Sequence, residues 1–126
     1  MVKILPRDKR AFGATQELLA LGYLQREGLR LVERNYQCRL GEIDLILQDG
    51  DQLVFLEVRF RKNHDHGSAL ETVDHRKQRK LLLCAQHYLM RRRVDARVNC
   101  RFDVLGITCD SQGQHEFTWI TNAFQL

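Results

Sequence analysis

Two acids interrupt an otherwise apolar pair of segments in Gly41 to Arg61, GEIDLILQDGDQLVFLEVRFR. Asp44 lies in Glu42 to Gln48 and Glu57 in Leu53 to Arg61. Both segments read as strands joined by a turn at Asp49-Gly50-Asp51, because alternating and β-branched apolar residues flank an Asp-Gly pair that favours positive φ. Side-chain period 2 predicts Ile43, Leu45 and Leu47 on one face, with Glu42, Asp44 and Ile46 on the other. On the second strand Val54, Leu56 and Val58 oppose Leu53, Phe55, Glu57 and Arg59. A two-residue loop at Asp49-Gly50 pairs Asp44 with Phe55 and leaves Glu57 on the diagonal. A four-residue loop pairs Asp44 directly with Glu57, about 4.5–5.5 Å apart between Cβ atoms. Both registers put the carboxylates on one face, whereas an odd-length loop without a bulge separates them. Like charges so placed repel and burial raises the cost, so the pair calls for an arginine, a proton or a divalent cation. Spacing alone is equally compatible with two solvent-facing acids on an exposed sheet face.

The elements around the hairpin decide what else reaches it. Lys9 to Glu27 reads as a helix, with Ala14, Leu18, Leu21 and Leu24 at helical spacing and Gly28 as its stop. Glu17 falls on the same stripe. Leu29 to Tyr36 follows as a strand. After the hairpin, Arg61 to Glu71 is a polar loop whose His64-Asp65-His66 has no clear third metal ligand. A second helix runs from about Thr72 to Arg92 with Val73, Lys77, Leu81, Cys84 and Tyr88 on its inner stripe. Lys77 therefore points toward the sheet, while Arg76, Arg79 and Lys80 point outward. Arg91-Arg92-Arg93 complements the dipole at the helix end. Val98 to Thr108 and His115 to Thr121 are strands joined by a turn at Asp110 to Gly113. A helix between the third and fourth strands makes them parallel, giving an α/β fold with a mixed sheet flanked by helices.

At 126 residues, 44% hydrophobic and 29% charged, the composition is that of one globular domain. No apolar run approaches about 18 residues, and MVKILPRDKR lacks a signal-peptide core, so no membrane association and a cytoplasmic location are expected. Cys38, Cys84, Cys100 and Cys109 form no CxxC pair and read as reduced thiols. The net charge of +4 fits a polyanionic partner without requiring one.

The run Gly41-Glu42-Ile43-Asp44-Leu45-Ile46, then Leu53-Val54-Phe55-Leu56-Glu57-Val58-Arg59 and Arg61, resembles the bacterial YraN family, whose pattern is GEIDLI followed by a VFVEVK-type strand. The likeness extends from Gly13 and Glu17 through Arg34-Asn35-Tyr36, Lys77, Tyr88 and Cys100-Arg101-Phe102-Asp103 to Trp119-Ile120 and Asn122-Ala123-Phe124. That family is similar to the PD-(D/E)XK nucleases and, within them, to archaeal Holliday-junction resolvases. The resemblance implies a restriction-endonuclease-like αβββαβ core with an added C-terminal strand across the whole chain. It implies phosphodiester hydrolysis of nucleic acid, DNA and branched DNA first, with Mg²⁺ or Mn²⁺ on Asp44, Glu57 and the Val58 carbonyl. Glu42 or Glu17 would assist, Glu17 facing the site from the first helix.

Arg59 stands where the common nuclease pattern has lysine. An arginine stays protonated, so it can clamp phosphate but cannot act as a base. Lys77 could supply the missing amine, as migrated lysines do in relatives of that superfamily. The catalytic set expected is Asp44, Glu57, Arg59, Lys77 and Glu17, with phosphate contacts from Arg59, Arg61, Lys62, Arg76, Arg79 and Lys80. A resolvase acting on a two-fold-symmetric junction would work as a homodimer. The competing reading is a weak or inactive nuclease-fold domain that binds nucleic acid or a DNA-processing partner. Arg59 and the modest charge favour it, whereas a plain phosphate-binding surface would be repelled by Asp44 and Glu57.

Overall fold

A computed structural model describes residues 6–61 and 69–125. The elements are α1 (Pro6–Arg26), β1 (Arg30–Cys38), β2 (Gly41–Asp49), β3 (Gln52–Arg61), a 3₁₀ turn (Leu70–Thr72), α2 (His75–Arg91), β4 (Asn99–Cys109) and β5 (His115–Phe124). The strands form one sheet in the order β1-β2-β3-β4-β5. All neighbours are antiparallel except β3 and β4, which run parallel as the intervening helix requires. The αβββαβ order and the additional C-terminal strand expected from the sequence are both present.

Each face of the sheet is covered by one helix. Ala20, Leu21 and Leu24 of α1 join Leu45, Leu47, Val54, Leu56, Leu105 and Ile107 in one core. Leu81, Cys84, Ala85 and Tyr88 of α2 join Tyr36, Ile43, Ile46, Phe55, Phe102 and Val104 in the other. Adjacent residues of β3 and β4 thus enter different cores, as a strand buried on both faces demands.

The helix ends follow local chemistry. Gly28, at φ 99, turns the chain after α1, and the Leu29 N–H donates back to the Leu24 carbonyl at 3.0 Å. Asp74 caps α2, its carboxylate accepting from the Lys77 N–H at 2.8 Å. The second helix starts at His75 rather than Thr72, because Leu70–Thr72 closes a separate 3₁₀ turn. Arg92, at the C-cap, makes two hydrogen bonds to Glu33 of β1, at 3.2 and 2.9 Å, and so ties the helix end to the edge strand as well as complementing its dipole.

The inner stripe of α1 differs from the one expected. Leu18 is 52% exposed and Ala14 is exposed, while Gln16, Ala20, Leu21 and Leu24 are buried. The interface is thus rotated toward Gln16 and Ala20. Small Ala20 lets the helix lie close to the leucines beneath it, an advantage that apolarity counting does not register.

Gly106 of β4 marks another close approach. A Cβ there would lie 2.6 Å from the Ala69 Cβ, just ahead of the 3₁₀ turn. Gly106→Ala is expected to lower stability by about 1–3 kcal/mol, the cost of overpacking. Gly13→Ala, in α1 with nothing within 4 Å, should raise it by up to about 1 kcal/mol. Urea unfolding of both variants checks this pair of opposite signs, and a neutral Gly106→Ala would contradict the packing.

Candidate carboxylate site

The β2–β3 ladder runs from Asp49↔Gln52 to Leu45↔Leu56 and then stops. The loop is Gly50-Asp51, with Gly50 at φ 60, one residue later than a loop at Asp49-Gly50. Its register is the one that carries Asp44 to a position opposite Glu57. Beyond Leu45 the strands part: β2 continues beside β1 through Tyr36↔Ile43 and Gln37↔Glu42. β3 continues beside β4 through Glu57↔Val104 and Val58↔Leu105. In this fork the Val58 N–H donates to Asp44 Oδ2 at 2.8 Å. The carboxylate thus satisfies a backbone donor that has lost its strand partner.

The parting also breaks strand parity. Leu45 and Leu47 belong to the α1-side core, but Ile43 joins Ile46 in the α2-side core. The expected groupings of Ile43 with Leu45 and Leu47, and of Ile46 with Glu42 and Asp44, are therefore corrected at Asp44, where the strand changes face. A left-handed residue lies opposite, on β1. Asn35, between the pairs Arg34↔Leu45 and Tyr36↔Ile43, has φ 52. One left-handed residue twists the ladder locally, and asparagine tolerates that conformation. Asn35 also hydrogen-bonds through its side chain to Glu17 of α1. The left-handed residue of β1 thus also touches the acid that the first helix contributes.

Glu57, Arg59 and Lys77 gather on the α2 side. Lys77 Nζ lies 3.5 Å from Glu57 Oε1, and Arg59 Nη2 lies 3.7 Å from the same oxygen. At these separations they are ion pairs, longer than good hydrogen bonds. Glu57 Oε2 is buried with no hydrogen-bond partner among the described residues, as are Arg59 Nε and Arg61 Nη2. Asp44 is 8% exposed and Glu57 5%. Burial, then the nearby Glu57 charge, pushes the Asp44 carboxyl up to about 8; the Val58 N–H opposes this, while Glu17 and Glu42 add to it. Burial also raises Glu57, against the pull of Lys77 and Arg59. Glu17 is raised by burial too, its bond from Asn35 working the other way.

Other expected residues lie farther out. Glu42 is exposed and accepts from Gln37 Nε2 at 3.3 Å, yet its charge is felt at Glu17, Asp44 and Glu57. Arg76, Arg79 and Lys80 are exposed along α2, whereas Lys77 and Arg61 are half-buried. Lys62 and the His64-Asp65-His66 run fall outside the described residues.

A second buried aspartate behaves differently. Asp103 of β4 is 1% exposed. It accepts from Arg101 Nε at 3.1 and 3.2 Å, from Trp119 Nε1 at 2.9 Å and from the Asn122 N–H at 2.9 Å. Arg101 also donates to Gln52 at 2.6 Å and to Asp49 at 2.8 Å, pinning the turn end of the hairpin. Residue spacing alone does not reveal this network, although an acid between Phe102 and Val104, two residues from Arg101, is the signal that points to it.

The donor chemistry at the fork suits a hard cation: Asp44 and Glu57 supply oxygens, and one Glu57 oxygen is unused. Among the described residues no three His, Cys, Asp or Glu side chains are already gathered at ligating spacing. Mg²⁺ asks for less, typically one or two carboxylates with water in the remaining positions.

The raised Asp44 value has a testable sign. The folded protein keeps a proton, up to about pH 8, that an unfolded aspartate releases near 3.8. Its contribution to stability is therefore complete below about pH 4, declines as pH rises toward 8 and then levels off, at no more than about 1.4 kcal/mol per pH unit. In EDTA, wild type should lose stability relative to Asp44→Asn across that window, as measured by urea unfolding at several pH values. Parallel pH profiles would contradict it.

Comparison with known sequences places this chain among close relatives. The sequence profile described as "Uncharacterised protein family UPF0102" matches residues 16–107. A UPF0102 protein of Alcanivorax borkumensis is 50% identical over 120 residues, covering 95% of this chain and 96% of the relative. One from Nitrosococcus oceani is 46% identical over 121 residues, covering 96% and 97% respectively. One from Stutzerimonas stutzeri is 48% identical over 118 residues, covering 94% and 98%. Matched by the profile and by relatives of nearly its own length, the chain belongs to the UPF0102 family.

Proposed function

We propose that this chain is a divalent-metal-dependent endonuclease that hydrolyses phosphodiester bonds in nucleic acid, DNA first, and branched DNA within that class. The observation that carries the reading is the contrast between two buried aspartates. Asp103 is matched by a guanidinium, an indole N–H and a backbone N–H. Asp44 has the Val58 N–H, yet burial first and the Glu57 charge second push its carboxyl up. A buried acid left short of positive charge beside a second acid is how a site for an external cation is built.

Asp44, Glu57 and the Val58 carbonyl would hold the ion, with Glu42 and Glu17 able to assist through water. Bound there, Mg²⁺ or Mn²⁺ would stabilise charge on the phosphoryl oxygens and lower the pKa of a coordinated water. The chain's own residues do the remaining work. Arg59, its side chain 29% exposed beside Glu57, and the half-buried Arg61 would present guanidinium charge to a phosphate. Lys77, held toward Glu57, presents the amine that Arg59 cannot replace, to orient the attacking water. Arg76, Arg79 and Lys80 extend the basic surface along α2. A two-fold-symmetric junction would engage two copies of the chain.

A second reading has its own support. Lys77 and Arg59 both lean on Glu57 and partly neutralise it without a cation. On that view the fold binds nucleic acid, or a DNA-processing partner, and does not cut.

Cleavage of linear and branched DNA in Mg²⁺ or Mn²⁺, against EDTA, separates the readings. Asp44→Ala or Glu57→Ala should lower cleavage at least about 100-fold, the scale of losing a Lewis acid. Metal-free binding of DNA should persist or improve, since a negative charge near the phosphates has gone. Arg59→Lys should lower cleavage if Arg59 clamps phosphate with its planar fork. Inactivity of wild type on every substrate with both metals, with DNA binding unchanged across these variants, would leave the binding reading in its place.

A further inference from the structure

We propose that Cys38 and Cys84 form a reversible oxidation site, a dithiol that a peroxide converts to an intramolecular disulfide at the rim of the carboxylate site. The two residues stand 46 positions apart in the chain, yet their Sγ atoms lie 3.3 Å from each other. Cys38 ends β1 and Cys84 projects from α2, so the contact bridges the edge strand and the helix. Cys84 is 0% exposed, and its Sγ also faces the Gly41 carbonyl at 3.6 Å. Cys38 is only half-buried. It lines a pocket of about 450 Å³ together with Arg39, Glu42, Lys77 and Lys80. One sulfur is thus reachable from solvent, and the other waits behind it.

The order of events follows from that asymmetry. Arg39, Lys77, Lys80 and Glu42 border the pocket at Cys38, and the thiolate is the form of a cysteine that reacts with peroxide. Burial pushes the Cys84 thiol up to about 12, so it stays protonated until it reacts. The Cys38 thiolate attacks one oxygen of hydrogen peroxide. The O–O bond breaks, hydroxide leaves and takes a proton from solvent to become water, and Cys38 becomes a sulfenic acid. The Cys84 sulfur then attacks the Cys38 sulfur, the S–O bond breaks, and the departing hydroxyl leaves as water with the Cys84 proton. Two thiols are oxidised to one disulfide, and one peroxide is reduced to two waters.

The disulfide would fasten the β1–β2 turn, Arg39-Leu40, to α2. Gly41 and Glu42 begin β2 directly after that turn, and Lys77 lies on α2 two turns before Cys84. Oxidation therefore restrains two borders of the carboxylate site, and the regulatory consequence rests on the nuclease reading, whereas the oxidation site does not.

The test is peptide mapping of the full chain, without reduction, after treatment with a few equivalents of hydrogen peroxide. The expected product is a monomer with Cys38 linked to Cys84, reversed by dithiothreitol and melting at a higher temperature than the reduced form. Cys38→Ser should abolish the link, while Cys100→Ser and Cys109→Ser should leave it intact. Irreversible oxidation of Cys38 without a cross-link, a link through Cys100 or Cys109, or a Cys38 that stays reduced would each overturn the proposal. Cleavage by oxidised and reduced wild type should then differ at least about fivefold and be insensitive to peroxide in Cys38→Ser. A disulfide that forms without changing cleavage removes the regulatory role alone. Absence of cleavage in both states counts against the nuclease reading, while the peptide map judges the oxidation site separately.

Discussion

Placing two carboxylates together where water is largely excluded is the constraint around which this fold is arranged. An isolated buried carboxylate is costly, and a second one beside it adds repulsion that low local polarity strengthens. The protein meets part of that cost with the Val58 N–H on Asp44 and with Lys77 and Arg59 near Glu57. The rest is met by a proton, which is the meaning of the raised Asp44 value. A hairpin paired along its whole length would give the Val58 N–H a strand partner. The strands must therefore part at this point, and the left-handed Asn35 on β1 accompanies their parting.

The opposite end of the hairpin is built for rigidity. Arg101 bonds to Asp49 and Gln52 on either side of the turn and to Asp103 within its own strand. The buried charge there is matched by the chain itself, so the network locks β2, β3 and β4 together and leaves little reason for an external ligand. The hairpin is thus closed by internal salt bridges at its turn and opened by an acid at its fork. A rigid base supporting an incompletely neutralised cluster is the arrangement that preorganised sites require.

Much of the fold was legible because apolar periodicity and turn chemistry agree along this chain. The alternation of Leu53, Phe55 and Glu57 against Val54, Leu56 and Val58 survives intact in β3, where parallel pairing to β4 is unbroken. In β2 the same rule fails between Ile43 and Leu45, since parity counting assumes a regular strand and this one changes face at Asp44, opposite the left-handed Asn35. In β5, Asn122, at φ 50, accompanies a register shift that period counting did not anticipate. For α1, hydrophobicity favoured Leu18, but close packing selected Gln16 and Ala20. The contact of Cys38 with Cys84 depends on how α2 crosses the edge strand, which local sequence does not encode.

The central claim is that the Asp44–Glu57 pair trades its proton for a divalent cation. Calorimetric titration of the metal-free protein with Mn²⁺ near pH 7, in buffers of different ionisation enthalpy, measures both the binding and the protons released. With Asp44 at about 8, binding should release close to one proton per cation, and Asp44→Asn should abolish that release. Binding without proton release, or no binding at this pair, would contradict the claim.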